Sequence, residues 1–170
     1  MVKTYLTPIQ DFTIRFATKE DIPIIFHFIQ SLAKYEKMAD KVIATEEKLS
    51  KTLFENHQAE VLLAFEKDVP VGFALFYTSY STFLASGNLF LEDLFIEEKF
   101  RHKGYGRLLI TCLAVIAKER QYHRIDWWCL DWNLPSIGFY QRMGAKPLKE
   151  WLIFRLEGES IVNLANEMTN

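Results

Sequence analysis

The sequence predicts a mixed α/β domain, and three observations carry that prediction. Period-two apolar runs and 3.6-period apolar stripes alternate along the chain in the order strand, helix, helix, three strands, helix, strand, helix, strand. One apolar strand, from Asn88, leads through a glycine-punctuated turn, Arg101 to Gly106, into the helix pattern of Leu108, Leu109 and Ile110. No repeat, low-complexity stretch or linker divides the 170 residues, which suffice for one domain with a sizeable core. The expected domain is therefore 1–170, with a core over about 12–156 and a C-terminal segment of 157–170.

Phe12, Ile14 and Phe16 alternate with Thr13, Arg15 and Ala17, the pattern of a half-buried strand. Thr18 and Asp21 have the spacing of a capping box, and Ile22, Ile25, Phe26, Ile29 and Leu32 make the stripe of the helix that follows. A shorter helix is expected from Thr45, with Leu49, Leu53 and Phe54 inward. Val61 to Phe65 and Val71 to Tyr77 flank Lys67-Asp68-Val69-Pro70 as a hairpin, and Tyr80 to Gly87 reads as a loop. The long helix is expected over Gly104 to Arg120, and a strand over Ile125 to Leu130. Asn133 is the N-cap candidate of the next helix, with proline early in its first turn and Gly144 as its stop. Trp151 to Leu156 reads as a last strand and Ile161 to Met168 as a terminal helix.

The chain is 49% hydrophobic with a net charge of −2. That balance argues against nucleic-acid binding through a broad basic face, which needs many phosphate neutralisations. No apolar run is long enough to span a bilayer, and no signal peptide is expected. Cys112 and Cys129 read as reduced core thiols of a cytoplasmic protein.

Two features carry chemistry. In the turn Arg101-His102-Lys103-Gly104-Tyr105-Gly106-Arg107, two glycines permit positive φ and can aim several amides at one point. The helix dipole and three basic side chains add positive potential, so a diphosphate would fit. The bland alternative is a solvated turn, and neither the P-loop ending nor a third glycine is present. In the strand before it, Glu92 and Asp93 interrupt an apolar run. Strict alternation aims adjacent acids at opposite faces, whereas a β-bulge would re-aim one. They are either a proton acceptor for a cationic substrate or partners of basic residues across the sheet. The four histidines show no metal spacing, and no metal is expected.

Arg101-His102-Lys103-Gly104-Tyr105-Gly106 resembles the R-x-x-G-x-G/A acyl-CoA motif of the GNAT N-acetyltransferases. Leu89 to Ile96 resembles the central strand of that superfamily. Asn133, Ser136 and Phe139-Tyr140 with Gly144-Ala145 resemble its later helix, and Leu32 to Glu36 extends the likeness to the diamine (spermidine/spermine) and thialysine acetyltransferases. The resemblance implies a single-domain fold with a mixed, mostly antiparallel sheet, a splayed central strand pair and flanking helices.

It also implies acetyl transfer from acetyl-CoA, as acyl donor, to a small-molecule amine. The roles implied are Glu92 as base and Tyr140 as acid. Donor contacts carry over to Leu94, Phe95, Ile96, Arg101, His102, Lys103, Gly104, Tyr105, Gly106, Arg107, Asn133, Leu134, Pro135 and Ser136. Tyr35, Glu36, Glu92, Asp93, Asp126, Trp128 and Trp151 are the acceptor candidates, as carboxylates and aromatic faces for an ammonium group. The loop before the central strand, Tyr80-Ser81-Thr82-Phe83, lacks the acid and tryptophan of the polyamine branch. A compact acceptor, a thialysine-like or lysine-like amino acid or a short diamine, is therefore expected, and the resemblance implies a homodimer. The alternatives are a peptide or protein acetyltransferase and a non-catalytic acyl-CoA-binding module.

Overall fold

A computed structural model describes residues 2–168. The chain forms two compact units, Met1–Trp128 and Cys129–Asn170. The first holds a six-stranded sheet in the order β1 (Thr4–Leu6), β2 (Phe12–Phe16), β3 (Glu60–Glu66), β4 (Val69–Ser81), β5 (Ser86–Ile96) and β6 (Ile125–Trp127). The first five strands pair antiparallel, and β5 pairs β6 in parallel, so the sheet is mixed as expected.

Helix α1 (Ile22–Tyr35) and the short α2 (Glu46–Leu49), continued by a π turn over Ser50–Glu55, cover one face. Ile25, Phe28, Leu53, Leu63, Phe73 and Phe95 pack there. Helix α3 (Tyr105–Glu119) covers the other face, packing its Leu109 and Leu113 in one cluster with Ile14, Leu62, Phe76, Leu89 and Leu91 of the sheet. The start of α1 is fixed by charge as well as burial. The Thr18 amide donates to the Asp21 carboxylate at 2.8 Å, and Arg15 donates to both Asp21 oxygens at 2.6 and 2.8 Å. The guanidinium holds the Asp21 carboxyl below its ordinary range.

Several expectations are corrected. β1 is an additional strand, too short for a periodic signal. The expected Tyr80–Gly87 loop is shorter, a turn over residues 82–85, because β4 runs on to Ser81 and β5 starts at Ser86 as one long hairpin. β6 stops at Trp127, three residues early. Cys129 is exposed rather than a core thiol, whereas Cys112 is buried and burial pushes its thiol up to about 12.

In the second unit, α4 (Leu134–Arg142) opens on Asn133, whose side-chain oxygen accepts from the Ser136 amide at 3.3 Å. It ends at Gly144, with φ +92. The strand expected over Trp151 to Leu156 does not form. That segment is irregular and exposed, with no ladder partner among the described residues to satisfy a strand's backbone groups. Helix α5 (Glu159–Asn166) follows.

Candidate active site

The site begins with an irregularity in register. Along β4 and β5, Leu75 faces Asp93 but Phe76 faces Leu91, so Glu92 is an extra residue without a counterpart. This is a β-bulge, and it reverses the alternation. Before it Leu89 and Leu91 point into the α3 side of the core; after it Leu94 packs there with Ile96. Asp93 therefore shares a face with its partner Leu75 and with Phe95, the α1 side, instead of entering the α3 core. Parallel pairing with β6 ends at the same place, at Leu91↔Trp127. From Glu92 to Ile96, β5 has no strand neighbour on that side among the described residues, which is the expected splay.

The bulge gathers acids. Burial first, then the charges of Glu92 and Glu36, push Asp93 up to about 7. Burial also raises Glu36, half-buried where α1 ends. No ion pair within 4 Å reaches Glu36, Glu92 or Asp93 among the described residues. The cross-sheet pairing that would have made them structural is therefore not what holds them.

Aromatic rings stand on the same face. Tyr77 pairs with Phe90 in register, and their rings stack with centroids 5.1 Å apart. Trp128 meets Phe90 edge-on at 5.5 Å. Burial, and then the Glu92 charge, raise the Tyr77 phenol. Tyr77 and Phe90 are not among the expected acceptor residues, because only the register of β4 and β5 sets them beside Glu92. Asp126 is instead held by Arg124, Nε to Oδ2 at 2.9 Å. The Tyr35 ring lies 4.7 Å under the Arg101 guanidinium.

At the end of β5 the chain makes the expected turn. His102 has φ +64 and Gly104 φ +86, so two left-handed residues flank Lys103. Gly104 is the N-cap of α3, and its carbonyl accepts the Leu108 amide at 3.1 Å. Arg101 Nε donates to the Ile96 carbonyl at 2.9 Å, and its guanidinium lies 5.5 Å from the Phe95 ring centroid. His102, Lys103 and Arg107 are exposed, Gly106 half-buried and Tyr105 buried. The residues present suit a diphosphate: backbone amides at a helix start, flanked by cations. No cluster of metal-ligating side chains occurs among the described residues.

In the second unit, Asn133 is buried, Leu134 and Pro135 are exposed, and Ser136 and Tyr140 are half-buried on α4, with the Tyr140 ring 5.2 Å from Phe139. Trp151 lies in the exposed irregular segment.

A sheet splayed at a bulge, with a left-handed turn feeding the long helix, defines an acyl-transferase architecture. The model of the Acetyltransferase (GNAT) family matches residues 27–145, and the chain belongs to that family, whose donor is acetyl-CoA. The protein is thus an acetyltransferase. A thialysine N-epsilon-acetyltransferase of Caenorhabditis elegans is 35% identical over 93% of this chain and 99% of its own length. An L-ornithine N5-acetyltransferase of Arabidopsis thaliana is 30% identical over 87% of this chain and 85% of its own. Among solved structures, an integron cassette protein from the mobile metagenome of V. cholerae superposes with a TM-score of 0.78 at 29% identity, covering 92% of this chain and 99% of that one.

Proposed function

We propose that this enzyme acetylates the side-chain amine of a small cationic acceptor, a thialysine-, lysine- or ornithine-like amino acid or a short diamine, by direct attack in a ternary complex. The observation that carries this reading is the bulge at Glu92, which sets an exposed Glu92 and a half-buried Asp93, neither in an ion pair among the described residues, beside Glu36 and the Tyr77–Phe90–Trp128 rings. Carboxylates compensate an ammonium group and aromatic faces add cation–π attraction. Both relatives named above act on amino acids with a terminal side-chain amine, which supports a compact acceptor.

An alkylamine of pKa near 10.4 is ammonium at neutral pH, and freeing it of its proton costs about 4–5 kcal/mol. Glu92 and Asp93 take that proton as a coupled pair, directly or through a water. Glu92 is the acceptor nearer solvent, and Asp93, titrating about 7, is the member able to keep the proton. The amine nitrogen then bonds to the thioester carbon, the carbon–sulfur bond breaks, the thiolate takes a proton from the Tyr140 phenol, and the second proton that the nitrogen sheds on becoming an amide restores that phenol through water. Main-chain groups of Leu94, Phe95 and Ile96 along the splayed edge pair with the pantetheine arm. Arg101, His102, Lys103, Gly104, Tyr105, Gly106 and Arg107 form the diphosphate turn, and Asn133, Leu134, Pro135 and Ser136 add contacts from the start of α4.

A panel of amines assayed by thiol release tests the acceptor class; acetylation of peptide N-termini alone overturns it. Tyr140→Phe should lower kcat more than about tenfold with coenzyme A affinity kept, and an unchanged kcat removes Tyr140 from the chemistry. A homodimer completes the reading, supported by apolar exposure at Trp151, Phe154, Ile161 and Val162. Sedimentation equilibrium showing a monomer at micromolar concentration rejects it.

A further inference from the structure

The diphosphate turn is held from outside itself. Glu66 is the last residue of β3, remote in sequence from the turn. Lys103 Nζ donates to both of its carboxylate oxygens, at 2.9 and 3.2 Å. Tyr105 Oη donates to Oε1 at 2.5 Å. Tyr105 is the first residue of α3, 3% exposed, and its ring stacks on Phe12 of β2 with centroids 3.9 Å apart and planes 7° apart. One carboxylate thus joins β3, the turn and the start of α3.

The turn needs such a hold. Lys103 lies between His102 and Gly104, both left-handed, and a non-glycine residue such as His102 stays in that region only where its surroundings over-determine it. Lys103 and Tyr105 donate to Glu66 and keep its carboxyl below the ordinary range, so it is an anion at neutral pH. Burial and the Glu66 hydrogen bond push the Tyr105 phenol up to about 12, so Tyr105 remains the donor. An anion would repel a diphosphate, so Glu66 is not itself a ligand for one.

We propose that Glu66 is a positioning residue for acyl-CoA binding: by holding Lys103 and Tyr105 it keeps the turn's amides in the arrangement that receives the diphosphate. The proposal rests on the acetyl-CoA reading above. It differs from a purely electrostatic role, in which Glu66 would only subtract charge from the turn and its loss would tighten binding. It also differs from a purely structural role, in which its loss would lower stability and impair every kinetic constant alike.

Glu66→Ala and Glu66→Gln should be compared with the native enzyme by calorimetric titration of coenzyme A and by steady-state kinetics. Glu66→Ala should weaken coenzyme A binding and raise KM for acetyl-CoA about tenfold, the scale of one lost charge-assisted hydrogen bond. The kcat and the KM for amine should hold within about twofold. Glu66→Gln, whose amide oxygen still accepts from Tyr105, should recover most of the affinity. Should Glu66→Ala fail to fold, Tyr105→Phe, which removes only the donating O–H, carries the same expectation about threefold smaller. Unchanged or tighter coenzyme A binding in the variants overturns the proposal, as does an equal loss in kcat and both KM values. Absence of coenzyme A binding by the native enzyme sinks the acetyl-CoA reading itself, and the positioning role with it.

Discussion

Asp93 holds a carboxyl that burial and two neighbouring acids have moved from 3.8 to about 7. Its folded form binds a proton more tightly than its unfolded form. Between about pH 4 and pH 7 the unfolded carboxyl is ionised while the folded one keeps its proton, so stability falls as pH rises through that window and levels above it. The full shift corresponds to at most about 4 kcal/mol. Glu36, raised by burial, adds in the same sense. Asp93→Asn should therefore raise Tm relative to the native enzyme at pH 8, with the gain closing below pH 4, while kcat/KM for the amine falls. A variant equally destabilised at both pH values would show that Asp93 is not strained. A group that costs stability above about pH 7 fits the proposed part in the chemistry better than a part in folding. The acid pair itself was readable from the sequence, because charged residues inside an apolar run are conspicuous. Which of the two turns inward was not, since that depends on where the bulge falls.

At the scale of elements, the close antiparallel pairing of β4 with the end of β5 leaves no room for a side chain at Gly72. A Cβ there would lie 2.4 Å from the Phe95 carbonyl oxygen and 3.1 Å from the Ile96 Cα. Both are backbone atoms of β5, on the edge proposed to receive the pantetheine arm, and they cannot rotate aside. Gly72→Ala should lower stability by about 1–3 kcal/mol and raise KM for acetyl-CoA; a thermal melt superimposing on the native one would refute the close approach. Helices α1, α3 and α4 were legible because their stripes and caps are local. Thr18–Asp21 and Asn133–Ser136 each satisfy helix-start groups within three residues. The strand expected at Trp151 to Leu156 was not legible, because a strand needs a partner and alternation alone does not supply one.

At the scale of the molecule, a net charge of −2 coexists with a turn carrying Arg101, Lys103 and Arg107. On the proposed reading, attraction of the donor rests on local rather than global charge, and exposed charges are screened within about 10 Å at 0.1 M salt. Raising salt from about 0.05 to 0.5 M should raise KM for acetyl-CoA several-fold with kcat held; a flat response would assign binding to backbone amides alone. Among the described residues, no helix is long and apolar enough to cross a membrane. The sequence by itself determined the elements whose causes are local: periodic stripes, caps, the glycine turn and the acids in an apolar strand. The tertiary structure alone decided the register that makes Glu92 the extra residue, the rings that share a face with it, and the grip of Glu66 on Lys103 and Tyr105. Those contacts join residues far apart in the chain, and their geometry exists only once the sheet has closed its ladders.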